Sequence, residues 1–238
     1  MLLLIIILII LLIIYYYTYE TFNNNNNLID YYVINIATHQ KRCDNIAKMS
    51  DIIGTKINIF EAIKGIDIKN VLDYDENINF TFKYNYINEV GCYLSHLLLI
   101  KSLMKSKYEY TVIFEDDFNI INDNFIEELN NIINNLKNTD FDIVFLGNNN
   151  DNYGSNYKDN IYNIDKNKIM WGTHAYLVNN KNINKIYTNL LLLDEPIDVK
   201  YKQLYNDNKL NNYVIYPIIV SIINDKSSIG DITVYYNK

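Results

Sequence analysis

With 238 residues, 49% of them hydrophobic and 21% charged, the chain can bury a sizeable core and is not a disordered polymer. Its formal net charge of −7 excludes the broad basic face that nucleic-acid binding needs. Two cysteines, Cys43 and Cys92, are too few for a disulfide framework or a structural zinc module. Isoleucine and asparagine make up about a third of the residues and tyrosine occurs 23 times, whereas glycine (7), proline (2), histidine (3) and tryptophan (1) are scarce. Arg42 is the single arginine. An A- and T-rich coding sequence produces this drift, so the scarce residue types that survive mark positions where chemistry or backbone geometry needs them.

Residues 1–19 are expected to form one hydrophobic helix, a membrane anchor or uncleaved signal. Met1 to Ile14 are unbroken Leu and Ile after the initiator, and Tyr15 to Tyr17 stand where an interface would lie. A cleaved secretory signal fits less well, for want of a basic start and a small-residue cleavage site. Lys and Arg are absent until Lys41, while Glu20 and Asp30 follow the apolar run, which favours a single-pass protein with its domain on the non-cytoplasmic side. Residues 20–27, with the run Asn23 to Asn27, read as a solvated linker, so the globular domain is expected over 28–238.

From Leu28 onward, short apolar runs alternate with helix-period segments. Leu28–Ile36 reads as a strand, Lys41–Ile53 as a helix and Lys56–Ile63 as a strand. Asn88–Lys107 reads as a helix, with Asn88 as N-cap and Val90, Leu94, Leu97, Leu98 and Met104 on its apolar face. Tyr110–Phe114 is a strand, Asp123–Asn138 a helix and Phe141–Leu146 a strand. A polar loop is expected at Asn148–Asn160, then a strand at His174–Val178 and a helix at Asn182–Leu193. This alternation predicts an α/β fold with a mainly parallel central sheet and helices on both faces. Ligands in such folds sit at the carboxyl ends of the strands.

Five groups of residues carry possible chemistry. Glu115-Asp116-Asp117 follows a buried strand, where three adjacent carboxylates repel one another unless a cation sits among them. In an extended segment Glu115 and Asp117 point to the same side, a spacing that suits one hard divalent ion. A solvated acidic turn would explain them as well. In NEVGCYLSH, residues 88–96, Gly91, Cys92, Ser95 and His96 are expected on the side opposite the apolar face. Glycine there suggests close approach by backbone or ligand. Cys92 and His96 at i, i+4 are half of a zinc site at most, because Cys43, His39 and His174 show no spacing to complete it. A packing histidine is the simpler reading.

Trp171-Gly172-Thr173-His174 reads either as a turn into a core strand or as a glycine-permitted approach to a sugar or nucleotide. Pro196-Ile197-Asp198 places an acid two residues after a scarce proline. Arg42, opening the first helix, is placed to grip a phosphate bidentately. The Gly-rich dinucleotide fingerprint, the Walker A loop and the G-x-S-x-G elbow are all missing.

The order VINIATHQKR, NEVGCYLSH, VIFEDD, GTHAYLV and PID resembles glycosyltransferase family 25, which includes lipooligosaccharide and procollagen galactosyltransferases, over about Asp30 to Ile232. The resemblance implies a GT-A-like domain that moves galactose or glucose from UDP-galactose or UDP-glucose, with inversion, to a hydroxyl of a glycan, lipid-linked or protein acceptor. It also implies Mn2+ or Mg2+ as cofactor. Glu115 and Asp117 are then the expected metal ligands. Arg42, His96, Glu115, Asp116, Thr173 and His174 are the expected donor-binding residues, and Asp198 the general base, with Asp194 and Glu195 as rivals. Two other readings compete: a membrane-tethered binding module without activity, and a metal-dependent phosphoryl-transfer enzyme. The latter would need further carboxylates, for which Asp142 and Asp231 are the candidates.

Overall fold

The computed structural model describes residues 7, 9–14, 28–36, 40–81, 87–149 and 152–223. The Asn-rich linker and most of the expected anchor lie outside these residues, as do His39 and Asp231. Residues 9–14 are helical and exposed, and among the described residues no helix is long and apolar enough to cross a membrane.

The elements run β1 (Ile29–Asn35), α1 (Gln40–Ile53), β2 (Asn58–Glu61), β3 (Asn79–Phe80), α2 (Ile87–Leu103), β4 (Tyr110–Glu115), β5 (Phe118–Ile120), α3 (Phe125–Leu136) and β6 (Ile143–Gly147). They continue as β7 (Tyr153–Lys158), β8 (Ile161–Ile164), β9 (Ala175–Asn179), α4 (Ile183–Leu190), β10 (Leu192–Leu193), α5 (Ile197–Asn206), β11 (Asn212–Ile215) and β12 (Val220–Ile222). Eight strands form one sheet in the order β2-β1-β4-β9-β6-β11-β8-β7.

The sheet is mixed, which corrects the expectation of a mainly parallel one. β1 runs parallel to β2 and β4, and β6 parallel to β11. β9 lies between β4 and β6 and runs antiparallel to both. The chain enters β9 through Trp171–His174, at the edge where β4 and β6 end, so it has to run back the other way. All five β9 residues are buried, and that solid apolar run reads alike in a parallel or an antiparallel strand.

Two further differences have local causes. The segment read as a polar loop contains the β7–β8 hairpin, turned at Asp159 with φ of 49°, a left-handed conformation that Asp tolerates. β7 is the edge strand and β8 pairs with both β7 and β11, so backbone pairing and stacked rings such as Tyr153 on Tyr216, 4.2 Å between centroids, hold the hairpin without an apolar pattern. The helix expected from Asn88 begins at Ile87, so Asn88 is inside it rather than its cap.

Two apolar layers cover the sheet. On one face α1 and α3 pack through Ile46, Met49, Ile53, Phe125, Leu129, Ile132 and Leu136. The spacing of the last four, three or four residues apart, puts them on one stripe of α3. Each contributes about 1.5–3 kcal/mol by leaving water. On the other face α2, α4 and α5 pack through Tyr93, Leu94, Leu97, Ile100, Ile186, Leu190, Tyr201 and Leu204.

α2 is buried on nearly every side, including Gly91, Ser95 and His96, which corrects the picture of a helix with one apolar face. The reason is a 3₁₀ turn, Gly65–Asp67, lying across its first turns. A Cβ on Gly91 would stand 2.5 Å from the Ile63 carbonyl oxygen, and one on Gly65 would stand 2.1 Å from that of Ile87. Ser95 Oγ completes the seam by accepting the Ile63 N–H at 2.8 Å and donating to the Gly91 carbonyl at 2.7 Å. Glycine at 91 therefore serves a close backbone approach. Gly91→Ala is expected to cost about 3 kcal/mol or more in chemical denaturation, because both colliding groups are backbone and neither can turn aside. A loss below about 1 kcal/mol would show that the turn simply lifts away.

Candidate active site

The candidate site lies where β4 ends, between the carboxyl end of β1, the first turns of α2, the entry to β9 and the start of α5. Glu115 is the last residue of β4, and its N–H donates to the His174 carbonyl at 3.0 Å. Its Oε1 accepts from Thr173 Oγ1 at 2.5 Å and lies 3.3 Å from His96 Nε2. Burial pushes the Glu115 carboxyl up, but His96, Thr173 and the charge of His174 outweigh it and hold it below its ordinary value. His96 is fully buried, with Nδ1 2.7 Å from the Tyr176 hydroxyl.

The strand stops at Glu115, and Asp116 and Asp117 form a turn. The expected same-side pair is therefore divided: Glu115 faces His96 and Thr173, while Asp116 and Asp117 face Arg42. The Arg42 Nη1 atom is 3.6 Å from Asp116 Oδ1 and 3.8 Å from Asp117 Oδ2. Asp117 Oδ1 is buried and has no hydrogen-bond partner. Arg42 is itself buried, so it meets carboxylates here rather than standing open to a phosphate.

Asp198 sits in the first turn of α5, directly after the N-cap Pro196 and Ile197. Its Oδ2 accepts the Gly172 N–H at 3.0 Å and its Oδ1 accepts the Val199 N–H at 2.8 Å. Gly172 takes φ of 91°, which glycine adopts without strain, and this turns its N–H toward the acid. Burial raises the Asp198 carboxyl above its ordinary value; the Gly172 and Val199 N–H groups work against this, and the charge of Glu115 adds to it. Asp198 and Glu115 thus share one electrostatic neighbourhood although 83 positions separate them in sequence.

A cleft of about 230 Å³ opens beside these groups, bordered by Ile34 and Ile36, by residues 63–66, and by Cys92, His96, Glu115 and Asp116. Of the expected donor-binding residues, His96, Glu115 and Asp116 line it. Thr173 reaches the site through Glu115. His174 does not face it: the ring is 2% exposed, with Nε2 3.4 Å from the Val220 carbonyl. Its place is a packing one, beside Gly147, where a Cβ would stand 2.3 Å from the ring. Trp171 is exposed at the approach.

The residue that sequence reasoning undervalued is Cys92. Cys92, His96 and Glu115 place one ligand atom each within 4.8 Å of one another. The i, i+4 spacing was visible, but the third member comes from a strand 19 residues beyond His96. Of the two further carboxylates named for a phosphoryl-transfer site, Asp231 lies outside the described residues and Asp142 is far from Glu115. Asp142 precedes β6, at the opposite end of the strands from Glu115, tied to Lys185 Nζ at 2.6 Å and to the Asn211 N–H at 2.6 Å.

The family model of glycosyltransferase family 25, described as an LPS biosynthesis protein, matches residues 28–200. The chain belongs to this family. Its matched region takes in β1 through the first turn of α5, and with them each of the site residues described above. Two solved structures are similar to this family-25 chain. One is A197 from STIV, at 10% identity and TM-score 0.46, covering 83% of this chain and 86% of its own. The other is a glycosyltransferase involved in the glycosylation of the major capsid of PBCV-1, at 11% identity and TM-score 0.46, covering 83% and 94%. No curated protein matches the chain.

Proposed function

We propose that this glycosyltransferase moves galactose or glucose from a UDP-sugar to a hydroxyl of a glycan, lipid-linked or protein acceptor, with inversion and with the help of Mn2+ or Mg2+. The observation that supports the reading is that Glu115 and Asp116 line one cleft at the end of β4, with Asp117 next to them in the turn and Asp198 near enough for the charge of Glu115 to act on it. Asp117 keeps a buried carboxylate oxygen unpaired, and Asp198 is a half-buried acid of raised pKa. Buried unpaired carboxylate oxygens are costly, and such groups are found where a ligand or ion completes them.

The residues fit a hard divalent ion at the acidic turn. Three carboxylates stand together, and the single guanidinium of Arg42 faces two of them. Asp117 would hold the ion through oxygen ligands, and Glu115 would join it by turning away from His96 and Thr173. Bound there, such an ion would offset the charge that develops on a leaving diphosphate. Arg42 orients Asp116 and Asp117 by its paired position. In the absence of an ion, Thr173 Oγ1, donating at 2.5 Å, holds the Glu115 carboxylate in its present rotamer.

The cleft is smaller than the roughly 300–1,000 Å³ of drug-sized sites, at about 230 Å³. It suits the nucleobase end of the donor, against the apolar walls of Ile34, Ile36 and Ile63. The sugar then extends past the acidic turn toward Asp198. There the raised carboxyl takes the proton of the acceptor hydroxyl as that oxygen attacks the anomeric carbon. The deciding experiment incubates the full chain with a panel of nucleotide sugars and measures release of the nucleoside diphosphate. Mn2+-dependent UDP release from UDP-galactose or UDP-glucose is expected. Turnover of a non-uridine donor alone would overturn the donor assignment, and absence of turnover with every sugar would favour a binding module.

A further inference from the structure

We infer that Cys92, His96 and Glu115 form a binding site for a borderline-soft divalent ion, zinc in the first place, distinct in chemistry from the hard-ion position at Asp117. Sulfur, imidazole nitrogen and carboxylate oxygen together are a donor set that selects zinc over magnesium or manganese.

Three observations carry this. The three ligand atoms lie within 4.8 Å of one another, so a small movement closes them on one ion. His96 Nε2, on a side chain with 0% exposure, lies 3.3 Å from Glu115 Oε1 but out of line for a well-formed hydrogen bond. That separation is the edge of a tetrahedral zinc site, since two ligands at zinc bond lengths stand about 3.3–3.4 Å apart. Two atoms at hydrogen-bond distance without hydrogen-bond alignment are arranged as two ligands of one centre would be.

The surroundings are those of a metal site too. A ligating histidine commonly donates its other ring N–H to a fixed acceptor, and a ligating carboxylate is itself hydrogen-bonded. The Tyr176 hydroxyl is 2.7 Å from His96 Nδ1, and Thr173 Oγ1 donates to Glu115 at 2.5 Å. With Nδ1 protonated toward Tyr176, Nε2 presents its lone pair to the centre. Cys92, His96 and Glu115 all border the cleft, so the fourth position opens to water or to a bound ligand. Binding forms a bond from zinc to the Cys92 sulfur and releases the thiol proton to solvent.

Glu115 would have to turn away from His96 to join the hard ion, and zinc holds it where it is. Zinc at this position therefore keeps the carboxylate from the hard ion and inhibits transfer; this consequence rests on the proposed transferase activity, whereas the binding itself does not.

The binding test uses the full chain without nucleotide. Cobalt(II) titration is expected to give one equivalent of a thiolate-to-cobalt charge-transfer band, displaced by one equivalent of zinc. Zinc is also expected to protect Cys92, and not Cys43, from alkylation, read by peptide mass spectrometry. Cys92→Ser should abolish the band, and His96→Gln should weaken zinc binding at least about tenfold. A missing charge-transfer band, a band that survives Cys92→Ser, or alkylation of Cys92 unaffected by zinc overturns the site. The alkylation arm uses the unmodified chain, so it decides even if a variant fails to fold. Zinc-loaded chain that turns over at the full rate overturns the inhibition. Loss of all turnover without zinc fails the transferase reading and leaves the binding result standing.

Discussion

Asp117→Asn is expected to lower metal-dependent transfer at least about a hundredfold and to abolish Mn2+-dependent UDP binding, while the chain still folds. The variant keeps the size and shape of the side chain but removes the charge from a carboxylate whose Oδ1 is buried and unpaired. A hundredfold loss corresponds to about 2.7 kcal/mol of transition-state stabilisation, within the range of losing one ion ligand. The effect on stability is expected to be small. The contact with Arg42 is 3.8 Å long at a partly exposed side chain, and such pairs contribute about 0–1 kcal/mol. Neutralising one of three neighbouring carboxylates offsets that loss. Denaturation together with calorimetry of UDP and Mn2+ separates the two effects. Parent-like binding of both would make Asp116-Asp117 an ordinary acidic turn and remove the proposed ion position.

Asp198→Asn is expected to lower transfer by about 10²–10⁴-fold and leave donor and metal binding intact, because a general base acts only on the acceptor hydroxyl. The pH profile gives an independent check. Burial raises the Asp198 carboxyl, so its basic form is lost at a higher pH than that of an ordinary aspartate. Activity is therefore expected to fall on acidification at a higher pH than an ordinary aspartate would impose, and the residual activity of the variant is expected to lose that limb. Retained transfer would place the base elsewhere. Asp194 is tied to Lys200 Nζ at 2.7 Å, which leaves Glu195 as the freer neighbour to test next.

Much of the fold was legible because it rests on local periodicity. The stripe Phe125, Leu129, Ile132 and Leu136 and the run Tyr110 to Phe114 announce a helix and a strand from the residues alone. The strand ends at the acidic triplet, and scarce Gly91, Gly172 and Pro196 each stand at a close approach, a left-handed turn or a helix start. Compositional scarcity was informative because a residue kept against a strong drift is kept for its geometry.

Strand direction was not legible. A fully buried strand such as Ala175–Asn179 has the same pattern whichever way it runs, and only the position of the preceding turn decides its sense. The edge hairpin escaped for the opposite reason, since exposed edge strands satisfy their backbone without apolar side chains.

The sequence by itself determined the α/β class, the family and the location of the acidic turn, because motif order and apolar periodicity are properties of neighbouring residues. Only the tertiary structure decided which side chains meet. It turned Glu115 toward His96 and Thr173, gave Asp116 and Asp117 to Arg42, buried His174 away from the cleft and brought Asp198 to Gly172. Those pairings depend on where a strand stops and a turn begins, and on elements far apart in the chain. Side-chain direction at a strand end follows from backbone angles that long-range packing sets, and no local pattern encodes them.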